Sequence, residues 1–366
     1  MIDKKKKALE RVQAEIDKID SKKTKVYFFV LDTKGIASGS LEYIYKLAKI
    51  SQAHGYDTGM LYQLEKGDEF EGVEEWLGKE YADIPHYNVS KEEVEITPSD
   101  VVFIPEIFAG VMNQTKKLPC KRVAILQNFN YLTEQVPYAA QWGDFGILDC
   151  ITNEEYNKKL LHGIFPYVKT TVIPPYIDKM FSPSIEPQKL VINVVASDQT
   201  NINKIIKPFY WKYPTFKWVS FRDLRGYTKE VFAERLREGA ITVWVDDDTS
   251  FGYSALEAMK SGSIVIAKIP NNNVAWVNGE NEGSLNNCCV WFDNYDKVHK
   301  QIATVVRSWM TDNIPEELEK CAKETASRYT EEKTDEAFAT YLGNVFESRK
   351  RELQNILDEQ GEDNAD

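Results

Sequence analysis

Residues 241–268 read ITVWVDDDTSFGYSALEAMKSGSIVIAK, and the groups best suited to chemistry lie here. Asp246, Asp247 and Asp248 precede Thr249 and Ser250, and Phe251, Gly252 and Tyr253 come next. Ala255, Leu256 and Met259 then fall at helical spacing, with Gly262 placed to end the helix. N–H groups at a helix start lack intrahelical acceptors and carry the positive end of the dipole. Ser250, Phe251, Gly252 and Tyr253 are therefore expected to hold phosphate. Glu257 sits about one turn into the helix, off the apolar stripe, where a carboxylate can accept from a pair of sugar hydroxyls. Phosphate and sugar together describe a nucleotide-sugar site. Two other readings of the aspartates stand beside it. Asp246 and Asp248 form an Asp-x-Asp pair of the kind that binds divalent ions, and aspartates also cap helices.

Such a site needs an open parallel sheet, in which ligands sit at the carboxyl ends of strands. The apolar runs 241–245 and 264–267 supply strands on either side of the helix. Strands are expected at 25–31, 56–62, 101–105, 122–126, 149–153, 190–196, 216–221 and 290–293. Helices are expected at 41–54, 154–162, 231–239, 296–310, 315–329 and 335–356. The loop 32–40, DTKGIASGS, is built of small residues but is not a G-x-G-x-x-G phosphate loop. Pro174-Pro175 interrupts all periodicity and reads as a linker.

With 57 acidic against 45 basic residues, the net charge of −12 argues against sequence-independent nucleic-acid binding. No apolar run approaches the roughly 20 residues that span a bilayer. The basic run Lys4–Lys7 offers a peripheral contact to anionic lipid, but the acidic remainder favours a solvated helix end. The five cysteines show neither metal-ligand spacing nor a disulfide framework, so a cytoplasmic location is expected.

The phrase at 250–262, SFGYSALEAMKSG, resembles the donor-site signature of the family-4 retaining glycosyltransferases. That signature has Phe-Gly inside and Glu-Ala-Met-x-x-Gly at its end. Residues 172–183, VIPPYIDKMFSP, resemble the same family's interdomain segment. The resemblance implies an α/β protein of the GT-B class: two facing Rossmann-like domains with parallel sheets and a C-terminal helix crossing back to the N-terminal domain. It sets an acceptor domain at 23–180 and a donor domain at 181–332, preceded by a helical extension at 1–22 read from the apolar stripe of Leu9, Val12, Ile16 and Ile19. A returning helix at 333–357 and a disordered acidic tail at 358–366 complete the plan.

The activity implied is hexosyl transfer from a nucleoside-diphosphate sugar, with retention, to a glycan, protein or small-molecule acceptor. Neither a metal nor a resident cofactor is expected; the nucleotide sugar is a co-substrate. Glu257 would bind the ribose or the sugar, with Gly252 and Tyr253 on the diphosphate and Lys204 or Arg225 as the nearby cation. Gly39 and Ser40 lie in a loop that meets donor phosphate or acceptor. The acceptor would enter near Gly39, Glu106 and Gln127. Catalysis is expected at Asp248, Thr249 and Gln127. Three positions depart from the family pattern: Thr249 replaces the first signature Glu, Gln127 or Asn128 replaces a His, and residues 197–204 are thinly basic. A second reading is therefore a catalytically inactive GT-B scaffold with a ligand-binding or structural role. A third is a nucleotide-sugar epimerase of similar architecture.

Overall fold

In the computed structural model, residues 2–64, 69–279 and 283–362 are described, and the chain divides into two compact units. Unit 1 comprises the chain up to Glu74, Lys79–Pro174 and the part from Thr334 onward. Unit 2 comprises Glu75–Gly78 and Pro175–Lys333.

Unit 1 contains helices α1 (Ile2–Asp20), α2 (Gly39–Ala53), α3 (Ala109–Gln114), α4 (Phe129–Gln135) and α5 (Glu155–Ile164). Its strands are β1 (Lys25–Phe29), β2 (Asp57–Tyr62), β3 (His86–Asn88), β4 (Val101–Pro105), β5 (Lys121–Leu126), β6 (Asp149–Thr152) and β7 (Lys169–Val172). They form a parallel sheet in the order β3-β2-β1-β4-β5-β6-β7. β4 is buried throughout, which is why it reads as an uninterrupted apolar run. Two strands, β2 and β3, are laid to one side of β1 before β4 joins its other side, so the strand order reverses between β1 and β4.

Unit 2 repeats the plan with β8 (Lys189–Ala196), β9 (Ser220–Asp223), β10 (Gly239–Val245), β11 (Ile264–Lys268) and β12 (Val290–Phe292). All pairs are parallel, in the order β12-β11-β10-β8-β9. Its helices are α6 (Gln199–Lys212), α7 (Lys229–Glu238), α8 (Tyr253–Lys260), α9 (Tyr295–Met310) and α10 (Glu316–Ser327). Here the reversal lies between β8 and β10. Ile241, opposite Ile192, and Val243, opposite Val194, are fully buried in its core.

The last helix, α11 (Glu331–Glu362), belongs to unit 1 from Thr334 onward. Phe338 packs against Phe28 and Phe103, and Phe346 stacks on Tyr56 at 4.9 Å. The Arg349 guanidinium donates to the carbonyls of Pro98 and Pro119.

Several expectations are corrected. α1 is part of unit 1, because Ile16 and Ile19 are buried and the Glu15 carboxylate accepts from Ser99. The units divide at Pro174–Pro175 and not after residue 180, since Ile177 and Phe181 are buried in the core of unit 2. Residues 358–362 are helical, continuing α11 past the expected end, and 363–366 lie outside the described residues. The strand expected at 216–221 starts at Ser220, because Pro214 opens a short 3-10 turn first. Cys288 and Cys321 form a disulfide across 4.8 Å between Cα atoms, which removes the cysteine argument for a reducing compartment. The fold brings the segment before β12 against α10, a proximity that sequence spacing does not reveal. The side chains of Lys4, Lys5 and Lys6 lie outside the described residues. Among the described residues no helix is long and apolar enough to cross a membrane.

Candidate functional site

In unit 2 the expected donor residues meet where the strand order reverses. β10 ends at Val245, and residues 246–252 turn across its carboxyl end into α8. The helix starts at Tyr253, with Gly252 before it at φ +80°. A Cβ at Gly252 would stand 3.1 Å from Trp276 and 3.2 Å from Trp244, so both backbone and space demand glycine. Phe251 is turned into the core against Tyr253 and Tyr329, and its carbonyl accepts the Trp276 indole N–H at 2.6 Å. Its side chain anchors the loop from behind.

Thr249 is 6% exposed and its hydroxyl bonds to Asp246, whose carboxyl is raised from its ordinary pKa mainly by burial. Asp248 beside it is exposed. The Asn272 amide donates to the carbonyls of Asp248 (3.1 Å) and Thr249 (3.0 Å), and Asp247 pairs with Lys268. The loop is thus tied on both flanks, with Asp248 outward. Among the described residues no three His, Cys, Asp or Glu side chains come together in a metal-holding group.

The cations arrive from the neighbouring strands. Arg225, just past β9, donates to Asp223 (2.6 Å) and to Gln199 (2.6 Å) in the first turn of α6. Asp198 caps that helix, accepting from the Asn201 N–H at 2.8 Å. Lys204 lies over the Tyr295 ring at 4.9 Å. The Tyr295 hydroxyl is pushed up to about 12 by burial, helped by the charges of Asp247 and Asp198. Asp198, Lys204, Tyr295 and Asp247 therefore share one end of the sheet.

Glu257 needs correction. The sequence places it on an open helix flank, but it is 4% exposed, with its carboxylate 3.2 Å from the Lys229 ammonium. Lys229 is buried as well, 3.1 Å from Asp178 and 5.6 Å from the Phe181 ring centroid. The reason is that α8 packs against α7, which carries Lys229. Neither Lys229 nor Asp178 stood out as a site residue in the sequence, since no spacing rule ties them to residue 257.

Unit 1 has its own cavity at the reversal between β1 and β4, about 470 Å³ in volume. Thr33 and Ser38 line it from the loop after β1 and Ser40 from the first turn of α2, with Glu106 and Phe108 after β4 and Gln127 after β5. Gly39 opens α2 beside it, behind the N-cap Ser38. Glu106 is 2% exposed, and one of its oxygens accepts the N–H groups of Gln127 (3.0 Å) and Asn128 (2.7 Å). Burial pushes its carboxyl up to about 7 against these bonds. The Gln127 side chain donates to the Ser40 carbonyl at 3.1 Å, tying the two loops. Gly39, Ser40 and Gln127 are therefore together, and Glu106 completes the group.

No family model matches the chain. A curated relative, the alpha-1,6-glucosyltransferase of Actinobacillus pleuropneumoniae serotype 7 (strain AP76), is 28% identical over 213 residues. The match covers 54% of this chain and 64% of that protein, so the chain spans less than two thirds of its length. Among solved structures, sucrose-phosphate synthase from Thermosynechococcus elongatus superposes with a TM-score of 0.63 at 12% identity, covering 89% of this chain and 100% of that one. The pneumococcal O-GlcNAc transferase GtfA, in complex with UDP and GlcNAc, gives 0.60 at 8% identity, covering 88% and 99%. These likenesses define the fold: the chain is a GT-B protein with two parallel-sheet α/β domains, built like the GT-B glycosyltransferases.

Proposed function

We propose that the chain is a glycosyltransferase, moving a sugar from a nucleoside-diphosphate sugar held by unit 2 to an acceptor received by unit 1. The observation that carries this reading is the arrangement at the β8/β10 reversal. There Gly252 leads from the end of β10 into α8, while Arg225 follows β9 and Lys204 lies in α6, the helix after β8. As the diphosphate leaves, negative charge grows on it. First-turn N–H groups of α8 and the two cations are suited to offset that charge without a metal or resident cofactor. Ser250, Gly252 and Tyr253 supply the backbone of that cradle. Retention passes through an oxocarbenium-like state, for which the outward Asp248 is the carboxylate in reach. Thr249, bonded to Asp246, positions the loop. Glu257, oriented by Lys229, remains our candidate for the ribose hydroxyls. In unit 1, Gly39, Ser40, Glu106 and Gln127 would receive the acceptor hydroxyl.

The named activity of the curated relative and the UDP in the pneumococcal complex support this reading. The test is to incubate the protein with a panel of nucleotide sugars and follow nucleoside diphosphate release. NMR then reads the anomeric configuration of the product. One donor turned over with retention is the expected result. Binding without release would leave an inactive scaffold, and an isomerised sugar would identify an epimerase.

A further inference from the structure

The face of unit 2 formed by α6 and α9 is charged opposite to the rest of the chain. Residues 199–222 contain five basic side chains and no carboxylate, and residues 297–311 contain three and none, in a chain of net charge −12. The two helices pack against each other. Lys207 and Trp211 lie one turn apart on the exposed side of α6, which ends at Lys212. Lys217 and Trp218 follow the 3-10 turn, and Lys300 and Arg307 are exposed on α9. Trp211 is 77% exposed, Trp218 55% and Met310 53%. The Arg307 guanidinium covers the rings of Tyr213 (5.4 Å) and Phe216 (5.3 Å), and Phe216 meets Trp218 edge-on at 6.3 Å. Arg307, Tyr213, Phe216 and Trp218 thus form one contiguous cation–aromatic group.

A single exposed apolar residue needs no explanation, but two open indoles and a methionine among exposed lysines do, even with Arg222 paired to Glu238 and Lys297 to Asp293. We propose that this face docks on an anionic phospholipid surface. Indoles settle at the headgroup level, where the ring is sheltered and the N–H stays wet. Lysines lay their stems on the apolar boundary and keep their ammonium groups among lipid phosphates. The charges are spread over two helix faces, which matches a plane of anions better than one bound chain. Met310 has a partner in a bilayer and none in a sugar chain. The docking does not depend on the transfer proposed above, since it needs neither donor nor acceptor.

Flotation of the full chain with phosphatidylcholine vesicles, with and without phosphatidylglycerol, tests it. The protein should float with the anionic vesicles, stay behind with the neutral ones and be released by high salt. Trp211→Ala with Trp218→Ala, and separately Lys207→Glu with Lys212→Glu, should each cut the bound fraction more than tenfold without moving the melting temperature. Absence of flotation with anionic vesicles would overturn the proposal. So would flotation unchanged in both double variants, or capture by dextran sulfate, sensitive to these substitutions, without vesicle binding.

Discussion

The ammonium of Lys229 lies 3.2 Å from the carboxylate of Glu257, with both side chains buried. Removing one partner of such a pair leaves the other charge poorly compensated, here with Asp178 as the remaining carboxylate at 3.1 Å. Glu257→Gln should therefore cost on the order of 2 kcal/mol. Differential scanning calorimetry should show the melting temperature falling by several degrees, while Glu234→Gln on the exposed side of α7 leaves it in place. An unmoved melting temperature for Glu257→Gln would mean the pair carries no stability.

That expectation reverses the one the sequence invites. Helical periodicity locates the apolar stripe of α8 but is blind to what packs on its other flank. A buried ion pair with α7 is a tertiary fact. The same limit explains the disulfide, since Cys288 and Cys321 are 33 positions apart and the sequence between them holds no sign that the two meet. What was legible followed from local chemistry. β4 and the neighbourhood of Gly252 could be read because long buried runs and a glycine that must adopt φ +80° leave marks in the sequence. The short edge strands β3 and β7 left none, being partly exposed and three or four residues long.

Glu106 should make stability pH-dependent. Its folded pKa, about 7, lies above the ordinary carboxyl value of 4.5 because burial disfavours the charged form. From about pH 4.5 to 7 the folded chain keeps a proton that the unfolded chain has lost, so stability falls as pH rises through this window. Glu106→Gln retains an oxygen to accept from Gln127 and Asn128 and has no charge to bury. In urea titrations it should match wild type near pH 4 and exceed it by up to about 3 kcal/mol at pH 8. Parallel curves for the two proteins would contradict this account of Glu106.

Gly252→Ala should fail on two counts, backbone strain at φ +80° and a Cβ pressed on Trp276 and Trp244. A stability loss of about 1–3 kcal/mol is expected, with nucleotide affinity falling more than tenfold. Calorimetry together with titration of a nucleoside diphosphate reads both. A variant that binds as tightly as wild type would remove this helix start from the donor site.

Metal removal separates the two readings of the aspartates. With Asp247 engaged by Lys268 and the half-buried Asp246 bonded to Thr249, donor binding should survive EDTA nearly intact. Loss on chelation with rescue by manganese would make Asp246 and Asp248 ligands.

The most direct measurement is a thermal-shift and calorimetric titration of nucleoside diphosphates and their sugars against wild type and Arg225→Gln. Ligand that binds the folded chain raises the melting temperature by mass action. At least one nucleotide should stabilise wild type by several degrees at millimolar concentration. Arg225→Gln, whose guanidinium sits between Asp223 and Gln199 at the strand ends, should bind it about tenfold more weakly. If no nucleotide in the panel shifts wild type, or Arg225→Gln binds equally well, the β8/β10 reversal is not a donor site.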